Sequence, residues 1–284
     1  MQPIQLGEIN ISRVTESEGP TPPHFLLPGA TEEMLQANAH WMAPHFFQPE
    51  SGMLVMSIHS FIVRTRHHTI LVDTCLGNGK KRSVPNWHMR EGPFLDDLKT
   101  AGVSPEQVDF VMCTHLHVDH VGWNTRLHNG SWVPTFPNAR YLFSREEWEH
   151  WSKEEAEETL EIMQDSVLPV IEAGQADLVE STHAIDDELV FEPTPGHTPG
   201  HVSLHLTSAG QEAVITGDMM HHPIQCALPE LSSSFCVDPG RAVATRKAFL
   251  ARYADGPVRI LGTHFASPVA GKVVSAGDAW HIKV

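Results

Sequence analysis

The stretch Thr114-His115-Leu116-His117-Val118-Asp119-His120-Val121-Gly122 carries three imidazoles and one carboxylate within six positions. It follows residues 108–113, a short apolar run that is typical of a buried strand. The polar stretch should therefore lie on a loop at the carboxyl end of that strand, where α/β proteins hold their functional groups.

Metal binding is the chemistry that this residue pattern favours. Alternate residues of an extended chain point the same way, so His115 and His117 can hold one ion. Asp119 and His120 are displaced from that pair and can begin a second site. Imidazole with carboxylate suits zinc, with iron, manganese or cobalt as alternatives. We therefore predict two metal ions, although a chain with 20 histidines in 284 residues also produces clusters by chance.

Bulk composition limits the class of protein. A chain of 284 residues with 41% hydrophobic residues can form one large globular domain. Its apolar runs fall short of the ~20 residues that cross a bilayer, and no export signal is visible, so we expect a cytoplasmic protein. Four cysteines without a C-x-x-C pair predict reduced thiols. The formal charge of −16 disfavours nucleic acid and favours a neutral or modestly charged small substrate.

We expect a single domain over residues 1–284, in which residues 1–50 form an irregular N-terminal arm because seven prolines interrupt them. A strand is predicted near residues 9–15. The loop at residues 77–82 lacks the spacing of a phosphate-binding loop and is predicted to be a mobile connection. The acidic run at residues 146–161 is predicted to be a solvated helical surface.

The first stretch has the form His-x-His-x-Asp-His, and in this respect the chain resembles the metallo-β-lactamase superfamily. Three later segments resemble further motifs of that superfamily, in the expected order. They are Thr194-Pro195-Gly196-His197-Thr198-Pro199-Gly200-His201, Thr216-Gly217-Asp218 and Gly262-Thr263-His264. The resemblance covers the chain from about Gly52 to its end. It implies an α/β fold of that type, a four-layer αβ/βα sandwich.

The resemblance also implies seven metal ligands. They are His115, His117 and His197 on one ion, Asp119, His120 and His264 on the other, and Asp218 bridging both. Asp73 resembles a strand-end aspartate that orients a ligand without binding the metal, and His201 is expected to be structural. Two divalent ions lower the pKa of a shared water from ~16 towards 7. We therefore expect a hydrolase in which a metal-bridging hydroxide cleaves a small carboxylic ester or lactone, with Asp119 as a catalytic candidate.

The substrate is less narrowly defined by the resemblance. The complete second ion site, with histidine at position 120, resembles that of three groups of hydrolases. They are the quorum-signal lactonases, the pyridoxolactonase-like enzymes and the methyl-parathion-hydrolase-like organophosphatases. Homoserine lactonases of this fold have a tyrosine three residues after the bridging aspartate, whereas this chain has His221. His221 is therefore a second catalytic candidate, which can donate a hydrogen bond or a proton, and its alternative is an ordinary loop histidine.

Other classes of function stay open at this stage. The near alternative is hydrolysis of organophosphate triesters, and the distant one is an iron-dependent thiol dioxygenase of the same fold. The flavin-linked branch of the superfamily would bring a flavodoxin-like domain, which does not fit this length. A structural zinc protein is disfavoured, because a closed structural site uses four ligands rather than seven.

Aromatic residues can either line an apolar substrate pocket or belong to the core. The six candidates are Phe46, Phe47, Trp123, Trp132, Phe136 and Phe235. The N-terminal arm carries the first two of them, and we expect it to fold over the metals or over the partner of a homodimer.

Overall fold

The computed structural model describes residues 2–284 and is a mixed α/β structure, which confirms the predicted class. Within residues 2–284 the strands are β1 (Ile4–Leu6), β2 (Ile9–Thr21), β3 (Phe47–Gln48), β4 (Met53–Arg64), β5 (Thr69–Val72), β6 (Phe110–Met112), β7 (Thr125–His128), β8 (Ser131–Pro134), β9 (Arg140–Ser144), β10 (Ala176–Val179), β11 (Leu189–Pro193), β12 (Val202–Ser208), β13 (Gln211–Ile215), β14 (Arg259–Leu261), β15 (Ala270–Ala276) and β16 (Ala279–Lys283).

The α-helices of the same described residues are α1 (Pro23–Leu26), α2 (Glu32–Met42), α3 (Phe94–Thr100), α4 (Arg145–Trp151), α5 (Glu157–Ile162), α6 (Leu168–Glu172), α7 (Ile224–Ala227) and α8 (Pro239–Tyr253). A π-helical turn, Met163–Val167, joins α5 to α6. None of these helices is both long enough and apolar enough to cross a bilayer.

The larger sheet has the strand order β1-β2-β4-β5-β6-β9-β10, with β3 paired to β4. Strands β5, β6, β9 and β10 run parallel to one another, whereas β4 is antiparallel to β5. The carboxyl ends of neighbouring parallel strands meet at one edge of a sheet. The residues that follow β5 and β6 are therefore brought together.

The second sheet has the order β11-β12-β13-β14-β15-β16. Its pairs are antiparallel except for β13 and β14, which are parallel. The residues that follow β13 and β14 therefore share an edge in the same way. A separate hairpin is formed by β7 and β8.

The chain divides into two compact units. The first unit contains Gln2–Glu16 and Ile58–Glu180, and the second contains Ser17–Ser57 and Ser181–Val284. The core of the first unit contains fully buried residues of its parallel strands, such as Leu71, Val111 and Tyr141. In the second unit the strands of the second sheet bury residues such as Leu204, Ile215 and Ile260. The expectation of a single domain stays a prediction.

In helix α8 of the second unit, the local sequence determines both where the helix begins and which face is buried. The Asp238 carboxylate accepts a hydrogen bond from the Arg241 amide at 2.9 Å, and proline occupies the first helical turn, where no amide hydrogen is needed. The buried residues recur at spacings of three and four along one face, at Ala242, Arg246, Phe249, Leu250 and Tyr253. The helix therefore packs against its unit along one face.

The N-terminal segment is more regular than predicted. Strand β2 continues to Thr21, and α2 occupies Glu32–Met42. The Thr31 hydroxyl accepts a hydrogen bond from the Met34 amide at 3.2 Å and caps this helix, which begins with two glutamates. The prolines at positions 28 and 44 flank the helix instead of interrupting it.

The loop at residues 77–82 is anchored, so the prediction of a mobile connection is wrong. The Lys80 ammonium donates to the Thr125 hydroxyl and to the Asp165 carbonyl, each at 2.8 Å. The Arg82 guanidinium donates to both carboxylate oxygens of Asp165 at 2.8 and 2.9 Å. These side chains are buried, and such cations require partners that the sequence pattern did not reveal.

Candidate metal centre

The first-unit cluster consists of His115, His117, Asp119 and His120. It follows β6, and Asp73 follows the parallel neighbour β5, so sheet topology alone brings the aspartate to the cluster. The loop ends at Gly122, where an added Cβ would lie 1.9 Å from the carbonyl carbon of Leu76. Only glycine allows this close approach of two chain segments.

Two atoms that bind one zinc ion at 2.0–2.1 Å are roughly 2.9–3.4 Å apart for angles between 90° and the tetrahedral value. His115 Nε2 and His117 Nδ1 are 3.0 Å apart, which fits that range. His115 Nδ1 contacts the Thr114 hydroxyl at 3.0 Å, and the Trp151 ring packs against His117 with centroids 5.1 Å apart. Both imidazoles are therefore held by neighbours while one nitrogen of each faces the other.

His120 and Asp119 form the other pair of the first-unit cluster. His120 Nε2 and Asp119 Oδ1 are 3.6 Å apart, which corresponds to an angle near 120° at a shared ion. His120 Nδ1 lies 2.9 Å from Asp73 Oδ2, and the Asp73 carboxylate also accepts hydrogen bonds from the amide and hydroxyl of Thr114. Asp73 therefore contacts the ring nitrogen of His120 that points away from Asp119.

One residue that contacts this loop is absent from the sequence-based candidates. Glu147 belongs to the acidic run that was predicted to be a solvated surface, but its side chain is buried. Its Oε2 accepts hydrogen bonds from the Leu116 amide at 3.2 Å and from the Trp151 indole at 2.7 Å. The solvated-surface prediction is therefore wrong for Glu147. Glu147 lies four residues before Trp151, which places the two side chains on the same face of the helix. This spacing is the local sequence signal for their hydrogen bond.

Replacing Glu147 by alanine should lower the free energy of unfolding by roughly 2–4 kcal/mol, because two buried N–H groups lose their acceptor. Glu147→Gln is the matched control, since its amide oxygen can accept in the same position and should keep the loss below about 1 kcal/mol. Urea denaturation of both variants measures the difference. Equal stability of the two variants would show that these hydrogen bonds do not hold the loop.

The second-unit cluster consists of His197, Asp218, His221 and His264. Asp218 and His264 follow the parallel neighbours β13 and β14, while His197 lies on the loop between β11 and β12. Gly196 has a φ of +134°, and an added Cβ would lie 2.2 Å from the Ala242 nitrogen of α8. Glycine thus lets the His197 loop pack directly on that helix.

The two oxygens of Asp218 face different histidines. Asp218 Oδ2 lies 3.4 Å from His197 Nε2, and Asp218 Oδ1 lies 3.2 Å from His264 Nε2. The opposite ring nitrogens are held by the protein, because His197 Nδ1 contacts the Cys236 thiol at 3.5 Å and His264 Nδ1 contacts the Ser57 carbonyl at 2.9 Å. This geometry suits a carboxylate that gives one oxygen to each of two ions.

His201 has a different environment from His197. Its Nε2 accepts a hydrogen bond from the Asp218 amide at 2.8 Å, and its Nδ1 contacts the Thr194 hydroxyl at 2.9 Å. Both ring nitrogens are thus used within the protein, which agrees with the structural role expected for this residue. The Arg246 guanidinium, fully buried, donates to the Met219 carbonyl at 3.1 Å and supports the same turn.

The adjacent histidines at positions 221 and 222 are both buried but differ in their contacts. His221 Nε2 lies 3.2 Å from Asp218 Oδ2, and burial lowers the pKa of His221. His222 Nε2 contacts the Phe46 carbonyl at 2.8 Å, while its Nδ1 accepts from the Ile224 amide at 3.1 Å. Burial lowers the pKa of His222 to about 4, so this residue is a neutral structural histidine.

Most of the aromatic pocket candidates belong to the core. Phe46, Phe47 and Phe136 are fully buried, and Trp123 is buried against Phe94 with its indole donating to Glu16 at 2.8 Å. The two others differ. Trp132 lies under the Lys80 ammonium at 3.8 Å, and Phe235 is 40% exposed. Of the six, Phe235 is the most exposed and offers a face that a ligand could contact.

Comparisons with solved structures extend over nearly the whole chain. A crystal structure of the hydrolase AbOPH in the beta lactamase superfamily is 27% identical, with a TM-score of 0.81 over 99% of this chain and 96% of that chain. AidC, a dizinc quorum-quenching lactonase solved in complex with a product, has a TM-score of 0.80 with the same coverage of both chains. It is 22% identical, so this likeness shows the fold alone.

Among curated relatives, an N-acyl homoserine lactonase of Bacillus cereus is 26% identical over 168 residues. The match covers 54% of this chain and 59% of that relative, so the chain spans less than two thirds of its length. Residues 54–264 match the metallo-beta-lactamase superfamily, a region that includes every ligand implied by the sequence motifs. The resemblance and the predicted fold type are thereby confirmed. The chain belongs to the metallo-beta-lactamase superfamily.

Proposed function

We propose that this protein is a metal-dependent hydrolase of small carboxylic esters or lactones that uses a dinuclear metal centre. The proposed ligands are His115, His117, Asp119, His120, His197, Asp218 and His264. The observation that carries the proposal is the geometry of Asp218, whose two oxygens lie 3.4 and 3.2 Å from the Nε2 atoms of two different histidines.

The donor set fits divalent metals in a second respect. Metal-binding histidines in proteins commonly engage their other ring nitrogen with a carboxylate or a carbonyl, which fixes the tautomer and the ring orientation. His120 has this arrangement with Asp73, and His264 has it with the carbonyl of Ser57. Neutral imidazole with carboxylate favours zinc, with iron, manganese or cobalt as alternatives.

When bound, two divalent ions supply Lewis acidity and lower the pKa of water towards 7. The proposed part of Asp119 is to take a proton from the attacking water at a carboxylate oxygen and to return it to the leaving oxygen. Its side chain is 14% exposed, so water and a small substrate can reach it. The water oxygen forms a bond to the carbonyl carbon, the ester C–O bond breaks, and a lactone opens to a hydroxy acid.

Two features support a small ester or lactone as the substrate. The formal charge of −16 disfavours polyanions such as nucleic acids. The relatives named above include an N-acyl homoserine lactonase at 26% identity and a hydrolase at 27% identity. We infer a cytoplasmic setting from the cysteines, which are unpaired throughout the described residues, and we propose a homodimer as the form to test by light scattering.

A substrate panel tests the proposal. Metal-loaded protein is assayed on acyl homoserine lactones, simple aryl esters and aryl phosphotriesters, with oxygen consumption followed in parallel. We expect turnover of the lactones or carboxylic esters to exceed that of the triesters. Faster triester turnover would support the organophosphatase alternative, and oxygen consumption by an iron-containing protein would support a dioxygenase. Either of these results would overturn the proposed substrate class.

A further inference from the structure

His221 is a buried histidine of the second-unit cluster. It is 2% exposed, and neither Nδ1 nor Nε2 has a hydrogen-bond partner within residues 2–284. Buried polar groups without a partner cost free energy, so two such nitrogens on one ring require an explanation. A bound ligand that the ring contacts would supply one.

The neighbours of the His221 ring are potential metal ligands. Its Nε2 lies 3.2 Å from Asp218 Oδ2, an ion-pair distance without hydrogen-bond geometry. The same oxygen lies 3.4 Å from His197 Nε2. One ligand atom from each of His197, Asp218 and His221 can be chosen so that all three lie within 4.8 Å of one another. Both distances to Oδ2 fall within the roughly 2.9–3.4 Å expected for two ligands of one zinc ion.

The backbone at position 221 is held in place. The amides of His221 and His222 donate to the Gln225 side-chain oxygen at 2.7 and 3.2 Å, and the Gln225 amide group donates to the Leu231 carbonyl at 2.8 Å. The His221 ring also stacks on His264, with centroids 5.8 Å apart and planes inclined by 5°. The ring is therefore fixed beside Asp218 and does not extend into solvent.

We infer that His221 is an additional ligand of the ion that His197 and Asp218 Oδ2 bind, rather than a proton donor to the substrate. The inference rests on the proposed dinuclear centre and adds an eighth ligand to it. Asp218 Oδ1 faces His264 instead, so the two ions are inequivalent: the ion on the Oδ2 side gains one imidazole. An added nitrogen ligand should favour zinc or cobalt over manganese at that position.

Cobalt substitution tests this inference by a gain of signal. A cysteine at position 221 that reaches the ion binds as a thiolate and produces a sulfur-to-cobalt charge-transfer band in the near ultraviolet. We expect this band in cobalt-loaded His221→Cys above the wild-type spectrum. His222→Cys is the matched control, because His222 is an equally buried neighbour whose nitrogens contact the protein. A variant that binds two cobalt ions without the band would overturn the inference.

A measurement on the unaltered protein covers the case in which the variant does not fold. Wild-type protein with nitrogen-15 histidine and cadmium-113 shows scalar coupling for each imidazole that binds metal. The proposed centre without His221 gives five coupled imidazoles, and the inference predicts six. Two bound cadmium ions with five coupled imidazoles would overturn the role of His221 alone. Failure to bind cadmium would instead contradict the proposed metal centre.

Discussion

Replacing Asp218 by asparagine is expected to lower kcat/KM for the best ester or lactone substrate by at least about 10³-fold. Loss of a single preorganised charge-stabilising group costs about 10²–10³ in comparable sites, and this carboxylate is proposed to serve both ions. The amide keeps one oxygen but loses the negative charge that faces His197 and His264 at 3.4 and 3.2 Å. We therefore also expect the variant to bind at most one ion per chain.

The matched control is Asp186→Asn in the same unit. One oxygen of Asp186 accepts hydrogen bonds from the amides of Glu188 and Leu189 at 2.8 and 3.0 Å, and an asparagine oxygen can accept both. This substitution makes the same change of charge and volume as Asp218→Asn, but Asp186 is not one of the proposed ligands. We therefore expect the variant to keep its activity within about twofold of wild type. An Asp218→Asn protein with two bound ions and near wild-type kcat/KM would exclude a bridging role for Asp218.

Removing metal with a chelator should abolish hydrolysis and destabilise the fold. An ion present at about 1,000 times its Kd contributes about 4 kcal/mol to apparent stability, since it binds the folded chain and not the unfolded one. For a chain of this length, that loss corresponds to a fall in Tm of roughly 10 °C. Differential scanning calorimetry with a parallel activity assay measures both effects in one titration.

Chelator that has been saturated with zinc beforehand serves as the control, because it leaves bound ions in place and should change neither Tm nor turnover. Adding back zinc or cobalt to the stripped protein should restore both. If the chelated protein retains its Tm and its hydrolytic rate, the active site does not depend on a dissociable metal. The Asp218→Asn variant should show a smaller fall in Tm on chelation than wild type.

Several features could be predicted from sequence because their causes are local. Helix α8 begins at Pro239 and ends at Tyr253, because a capping aspartate precedes it and Asp255-Gly256-Pro257 cannot continue it. The positions of Asp73, Asp218 and His264 just after strands follow from short apolar runs that end at polar residues. Local patterns of this kind identify which strand ends carry functional groups.

Helix α2 was missed although its signal was present. The prediction of an irregular arm rests on the number of prolines, but the stretch from Thr31 to Met42 contains none and opens with a capping threonine followed by two glutamates. The positions of the prolines are therefore more informative than their number, because a proline before or after a helix does not disrupt it.

The remaining contacts could not be predicted because their partners are distant in sequence. Glu147 accepts from the amide of Leu116, 31 residues away, and no pattern in an acidic helix shows which carboxylate turns inward. Arg246 donates to the carbonyl of Met219, 27 residues away. The contact between His197 and Cys236 spans 39 residues. These supporting residues depend on tertiary packing, whereas the ligand motifs are short and contiguous.

The metal content of the purified protein tests the central claim most directly. The chain is purified without added metal or chelator and without a metal-affinity column, and its divalent ions are quantified by inductively coupled plasma mass spectrometry against protein concentration from amino-acid analysis. The proposed centre predicts two ions per chain, chiefly zinc, in protein that hydrolyses esters or lactones. Active protein that contains no stoichiometric metal, or a single ion that further zinc does not supplement, would contradict it.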